Sequence, residues 1–510
     1  MDSNGDGVGD LPGIRSKLDY LQWLGVDAIW ISPIYPSPMA DFGYDISNYT
    51  DIDPVFGTLA DFDLLLADAH ARDIKVMLDY VPNHTSNEHP WFIESAFSRD
   101  SAKRDWYIWR DPGPNSGPPN NWLSNFGGGA WEWDQKTGQY YYHAFLKEQP
   151  DLNWRNPDVQ DGMLEVLRFW LDRGVDGFRV DVMHHIVKDV EFRDNPPNPA
   201  WRPGMWRYRE LLTTYSADRP EVHDIVEKMR NVLDEYDDRM LVGEIYLPVE
   251  RLVAYYGASG KGAHLPFNFQ LIGLPWKVRD IIPAIERYEA LLPSFGWPNW
   301  VLGNHDKSRI ATRIGVAQAR VAAMLLLTLR GTPTMYYGDE IGMHDVPIPP
   351  DIVQDPFEKS VPGLGFGRDP GRTPMQWNDS VNAGFAAGEP WLPVADNYRA
   401  VNVSVEQQTP ASILMLYRRL IELRRNEPAL SVGEFAPLPA GDDLIAYVRK
   451  AKSRRLLVVL NLGAKLRTFD LADLKCSASL LLSTYVEPGQ VEFNETIELR
   501  ADEGTILELL

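Results

Sequence analysis

Apolar strand-like runs alternate with amphipathic helical stretches along most of this 510-residue chain, which predicts an α/β fold, a (β/α)8 barrel. A long irregular stretch after the third barrel strand predicts a small inserted domain. A tail of short strands predicts a separate C-terminal antiparallel β-domain. These three observations set the expected layout: barrel, first part, 1–84; inserted domain, 85–155; barrel, second part, 156–430; C-terminal β-sandwich, 431–510.

The runs VDAIWISPIY (26–35), IKVMLDYV (74–81), GVDGFRVDV (174–182), MLVGEIY (240–246), NWVLGNHD (299–306) and TPTMYYGDEIG (332–342) read as buried strands. RSKLDYLQWL (15–24) and DFDLLLADAHARD (61–73) have helical spacing. Residues 85–155 are rich in Trp, Asn, Gly and Pro and have no clear helical period. Residues 343–398 form a second Pro/Gly-rich excursion, and loops this long in a compact domain are usually functional. The helix 412–427 is followed by the strands LIAYVRK (444–450) and LLVVLNL (456–462), where the tail domain begins.

Net charge is −22 and the pI is near 4.9. Nucleic-acid phosphates would be repelled, so no nucleic-acid partner is expected. The single cysteine, Cys476, leaves no disulfide framework and no Cys-based zinc site. No signal peptide is recognised, and VAAMLLLTL (321–329) is too short to span a membrane. A cytoplasmic protein without a membrane partner is expected; its oligomeric state is not legible. The 17 Trp residues could stack on sugar rings, but the count alone favours core positions.

Polar residues sit at the ends of the apolar strands. Asn83 and His84 follow one, Arg179 and Asp181 end the next, Glu244 follows another, and His305 and Asp306 follow a fourth. The C-terminal ends of barrel strands form the active face, so three carboxylates from three strands should converge on one cleft. Paired carboxylates are what glycosidic cleavage needs: one attacks the anomeric carbon and the other protonates the leaving oxygen. A single strand-end Asp is more often half of a structural ion pair. Several together, with Arg179 two residues before Asp181 on the same strand face, favour chemistry.

The opening MDSNGDGVGDLPGI alternates acidic residues with small ones. An EF-hand would need a Glu where Gly13 stands, and no helix precedes the loop. A hard cation held by Asp2, Asn4, Asp6, the Val8 carbonyl and Asp10 is one reading. A bare Gly-rich turn capping the helix near Leu11 is the other.

DYVPNH, GFRVD, VGEI and LGNHD, with QPDLN at 149–153, resemble the five ordered sequence blocks of the α-amylase superfamily of glycoside hydrolases. DSNGDGVGDLPGI, ADFGYDISNY, GTPTMYYGDEIGM and GRTPMQW narrow the resemblance to its oligo-1,6-glucosidase and α-glucosidase branch. The resemblance implies Asp181 as nucleophile, Glu244 as general acid/base and Asp306 as the carboxylate that holds sugar hydroxyls. It implies that Arg179 orients Asp181 and keeps it ionised, as an adjacent cation should, that His84 and His305 donate to the sugar, and that Asp41 and Tyr44 close the pocket. Arg372 would reach the same sugar, with Arg368 the second choice, and Phe145 and Gln149 would line the pocket. The opening loop would bind structural Ca2+ or Mg2+, and no organic cofactor is implied. The family has a strand before that loop. Only Met1 precedes it here, so the first barrel strand is expected to be missing.

The activity so implied is that of a retaining exo-α-glucosidase acting on short oligosaccharides or disaccharides. A transglucosylase, an oligo-1,6-glucosidase or a sucrose-converting relative would use the same residues. Val182, after the implied nucleophile, leans toward α-1,6 links, whereas NHDKSR and YYGDE resemble maltose-active relatives; α-1,4 with α-1,6 tolerated is expected. A catalytically dead relative, like the heavy-chain subunits of amino-acid transporters, is disfavoured because all three acids are present. GFGRDPG (365–371) lacks the spacing and setting of a dinucleotide loop.

Overall fold

The computed structural model describes residues 1–485 and 491–510. Seven short parallel strands build the barrel. Ala28–Ile31, Lys75–Tyr80, Gly177–Val180, Met240–Gly243 and Leu265–Pro266 pair in that order, and Asn299–Val301 pairs with Thr332–Thr334. All six expected strand runs contain one of these strands. The seventh, Leu265–Pro266, has two residues and no periodic signal to betray it. Thr332–Thr334 and Ala28–Ile31 each pair along one edge; an eighth strand is not among the described residues.

Helices cover the strands because their apolar residues repeat at helical spacing. Leu59–His70 buries Phe62, Leu65, Leu66 and Ala69. Its start is fixed by a capping box, in which the Thr58 side chain accepts from Asp61 N–H and Asp61 takes the Thr58 N–H. Pro157–Asp172 starts with Asn156 as cap and Pro in the first turn, and buries Val159, Met163, Val166, Leu167, Trp170 and Leu171. Each such large apolar side chain contributes about 1.5–3 kcal/mol when fully buried.

The helix around VAAMLLLTL is longer than that run, spanning Ile310–Thr328 with a break at Gly315, where φ is 79°. By length and hydropathy it could cross a membrane, but most of it is buried in the core, between the barrel and the C-terminal sheet. That sheet has six antiparallel strands, and a two-stranded ribbon, Arg467–Asp470 with Thr496–Leu499, lies against it. Alternate residues serve two layers. Leu444, Ala446, Leu457 and Val459 pack on the ribbon, while Ile445, Tyr447, Val458 and Leu460 pack on the barrel helices.

Between the strands Lys75–Tyr80 and Gly177–Val180 lies a three-stranded antiparallel sheet of Trp109–Arg110, Gln139–Tyr142 and Trp131–Asp134, with the helix Pro90–Ser95 beside it. The excursion after Thr334 holds short helices, including Pro356–Ser360, and packs on the opening loop. Asp2 N–H donates to the Phe385 carbonyl and Trp391 N–H to the Gly7 carbonyl. Gly7 is required there: its φ is 93°, and a Cβ would lie 2.1 Å from the Glu389 carbonyl oxygen.

Candidate active site

The strand register brings the first two groups together. Asp79 pairs with Arg179 across adjacent parallel strands, so both side chains leave the sheet on the same side. Arg179 Nη1 donates to Asp79 Oδ1 at 3.0 Å and to Asp181 Oδ1 at 2.8 Å, and Nη2 lies 2.8 Å from Glu244 Oε2. All four side chains are buried. One guanidinium therefore serves three carboxylates. Burial pushes Asp181 well above the usual carboxylate range, and Glu244 and Asp79 add to the rise while Arg179 opposes it. Burial likewise pushes Asp79 up to about 6 against the pull of Arg179.

The turn after Asp181 is strained. Val182 has φ 36° and ψ 45°, a left-handed conformation that a β-branched residue rarely adopts. The turn aims the Val182 N–H at Glu244 Oε2, 2.8 Å away, and the Met183 N–H at the Glu244 carbonyl.

The remaining groups form a continuous wall. The Tyr44 hydroxyl donates to Asp79 Oδ2 at 3.0 Å and lies 3.1 Å from His305 Nε2. His305 is stacked on Tyr44 and edge-on to Trp30; burial first, then Arg372, Arg179 and Arg368, lower its pKa to about 3. Arg372 donates through Nη2 to Asp306 Oδ1 at 3.1 Å and through Nε to the His305 carbonyl. Arg368 lies 3.6 Å from Asp306 and donates to Asp41 Oδ1 at 2.7 Å. Burial alone would raise Asp306; the charge of His305, Arg368, Arg372 and Lys307 pulls it below the usual range instead. Gln149 reaches Asp41 and His84, and the Phe145 ring packs on His84.

His84 is held as one neutral tautomer. Burial lowers its pKa to about 4. The Asn83 amide donates to Nδ1, so Nε2–H is left to donate to the Tyr44 carbonyl. Asn83 is itself fixed by Lys188, which donates to Oδ1 at 2.6 Å, and by Asp151 Oδ2, which accepts its amide at 2.9 Å. Lys188 and Asp151 form a buried ion pair.

Every residue the sequence nominated for sugar contact falls within this one chain of contacts, Arg368 as well as Arg372. Sequence reasoning did not assign Asp79, Lys188, Asp151 or Asp355. Asp79 carried a usable signal, a charge inside an otherwise apolar strand. Asp151 lay within the quoted QPDLN block without a role of its own; Lys188 and Asp355 gave no signal, because their partners are distant in sequence.

The opening loop is linked to these residues through Trp391, which donates to the Gly7 carbonyl and packs edge-on against Phe42, the ring beside Arg372. Its donors are the hard oxygens a divalent cation prefers. Its carboxylates, however, already accept the loop's own amides. Asp2 takes the N–H of Asn4, Gly5 and Gly7, Asp6 takes that of Val8, and Asp10 takes those of Ser3 and Gly13. Among the described residues, no group of three or more His, Cys, Asp or Glu side chains is gathered so as to hold a metal ion.

Residues 1–433 match the alpha amylase catalytic domain family. The chain belongs to the α-amylase family. As such it is a glycoside hydrolase, and its strands are those of a (β/α)8 barrel followed by an antiparallel C-terminal domain. Among its relatives are a "probable alpha-glucosidase" of Rhizobium meliloti (strain 1021), 41% identical over 92% of this chain and 88% of that protein, and an "oligo-1,6-glucosidase" of Parageobacillus thermoglucosidasius, 40% identical over 100% and 96%. Its structure is similar to the crystal structure of the α-glucosyl transfer enzyme XgtA, with TM-score 0.95, 40% identity and coverage of 100% of this chain and 97% of that one.

Proposed function

We propose that this glycoside hydrolase is a retaining, exo-acting α-glucosidase. It releases glucose from the non-reducing end of maltose and short maltooligosaccharides and tolerates α-1,6 links. The observation that carries this reading is the sharing of Arg179 by Asp181 and Glu244. Two carboxylates on one guanidinium are close together. Double displacement uses a neighbouring pair, about 5 Å apart, whereas single inversion needs well over 6 Å to admit a water.

In the first step an Asp181 oxygen attacks the anomeric carbon. The bond to the leaving oxygen breaks, and Glu244 gives that oxygen its proton. In the second step Glu244 takes a proton from water, the water oxygen attacks the same carbon, and Asp181 leaves. Asp306, kept ionised by Arg368 and Arg372, accepts sugar hydroxyls. Asp41, engaged by Arg368 and Gln149, closes the pocket behind one glucosyl unit. The names of the two α-glucosidic relatives support the substrate class. Transfer of the glucosyl unit to a sugar acceptor is the second reading, favoured by the likeness to a solved α-glucosyl transfer enzyme.

The test is incubation with maltose, isomaltose, sucrose and soluble starch, followed by proton NMR. Maltose should be consumed fastest and starch slowest, with α-glucose appearing first. β-Glucose as the initial product would refute the nucleophile assignment. New oligosaccharides outweighing free glucose would favour transfer.

A further inference from the structure

The excursion after Thr334 contains a fully buried carboxylate, Asp355, that the reaction scheme does not use. Its oxygens face one residue almost exclusively. Oδ1 accepts from Arg368 Nε at 3.0 Å and Nη2 at 2.6 Å, and Oδ2 accepts the Arg368 backbone N–H at 2.6 Å. Among the described residues the one other donor is the Phe357 N–H, which Asp355 caps. A second buried carboxylate locks the same junction from the opposite side. Asp369 Oδ2 accepts the N–H of Gln354 at 2.7 Å and of Asp355 at 3.0 Å. The two ends of the intervening loop are thus tied to each other.

This lock determines how Arg368 can point. A guanidinium is a planar fork, and two of its nitrogens are held by Asp355. Nη2 also reaches Asp41, and Nη1 stops 3.6 Å short of Asp306, beyond good hydrogen-bond distance. An unrestrained Arg beside a carboxylate forms the closer, two-bonded pair. Arg372 already bonds Asp306 Oδ1, so such a pair would also take up Oδ2, the oxygen left for a sugar hydroxyl, and would release Asp41.

We infer that Asp355 is a positioning residue for glucosyl recognition: it holds Arg368 against Asp41 and off Asp306, and so keeps the Asp306 oxygen that Arg372 does not bond open to substrate. The inference rests on the reading of this pocket as a glucoside site. It assigns to the excursion a task beyond covering the barrel.

The experiment compares wild type with Asp355→Asn, Arg368→Met and the double variant. Substrates are p-nitrophenyl α-glucoside and maltose, with glucose as competitive inhibitor. Asp355→Asn should raise KM for both substrates and Ki for glucose in parallel, by roughly ten- to hundredfold, because all three share the same glucosyl unit. In the Arg368→Met background the same change should add less than threefold, since there is no Arg368 left to misplace. Multiplying losses, or an unchanged KM and Ki with only the melting temperature lowered, would overturn the inference. A crystal structure of the variant reads it independently of turnover. Arg368 should close onto Asp306, and an Arg368 still 3.6 Å from Asp306 and bonded to Asp41 would refute the proposal even if the enzyme had no α-glucosidase activity. If Asp355→Asn does not accumulate folded, Asp355→Glu, which keeps the charge, is measured the same way; an unchanged KM there with Arg368 displaced would also overturn it.

Discussion

Asp79 and Arg179 face one another in register across two parallel strands, 3.0 Å apart and both buried, so the cation that touches Asp181 and Glu244 is anchored by a third carboxylate behind it. Asp79 is therefore part of the site's charge balance as well as its scaffold. Its folded-state pKa of about 6 lies above the ordinary 3.8. Between those values the folded protein binds more protons than the unfolded chain, so this group's contribution to stability is present at low pH and lost as pH rises from about 4 to 6. Asp79→Asn should flatten that part of the stability–pH curve. It should also move the basic limb of kcat/KM to lower pH by about one unit, because one repelling charge has left the trio. Urea unfolding at several pH values and a pH–rate profile check both. An unmoved profile would mean that the Asp79 charge does not bear on the group that titrates in the reaction.

Glu244→Gln keeps the shape of the side chain and its bond from Val182 N–H, but it has no proton to give. Turnover of maltose should fall by about 10²–10⁴-fold. An activated aryl glucoside needs less help from an acid and should lose much less in its first step. Steady-state rates on maltose and on 2,4-dinitrophenyl α-glucoside separate these cases. Equal losses would argue that Glu244 acts by holding Arg179.

Asp2 accepts three backbone N–H groups while buried, so Asp2→Ala should cost about 1–3 kcal/mol through unsatisfied amides whether or not an ion is present. The divalent cation that the family resemblance implies for this loop makes a separate prediction. A chelator should lower the melting temperature of wild type, leave that of Asp2→Ala unchanged, and spare the activity of still-folded enzyme. Wild type indifferent to chelator would leave the loop a turn closed by its own amides.

The barrel was legible in the sequence because its strands are continuous apolar runs and its helices keep a strict period. Leu265–Pro266 was not, since a two-residue strand has no period. The carboxylates and histidines at strand ends were legible because a polar residue after an apolar run stands out. What holds them was not. Asp355 meets Arg368 across a 13-residue separation, Lys188 meets Asn83 across 105, and Arg179 meets Asp79 across 100. Such pairings depend on the closed fold, which residue spacing alone does not encode. The choice of Arg372 ahead of Arg368 had the same origin: the sequence puts both near the pocket, and only the fold brings both to Asp306.

The Lys188–Asp151 pair joins the barrel to the inserted domain beneath His84, and both charges are fully out of water. Burial depresses the Lys188 pKa, and Asp151 works against that depression. Removing one partner leaves the other charge buried and unpaired, so Lys188→Met should destabilise by about 3–5 kcal/mol. Adding Asp151→Asn removes the stranded charge, and the double variant should recover part of that loss. Function should not recover with it. Asn83 loses the Lys188 bond that orients it in both cases, and His84 then loses the donor that fixes its tautomer. KM for maltose should therefore stay raised in the double variant while its melting temperature climbs back toward wild type. Thermal unfolding and Michaelis kinetics on the three proteins make the comparison. A double variant restored in stability and in KM together would mean that the pair is only a tie between domains and that His84 needs no help from Asn83.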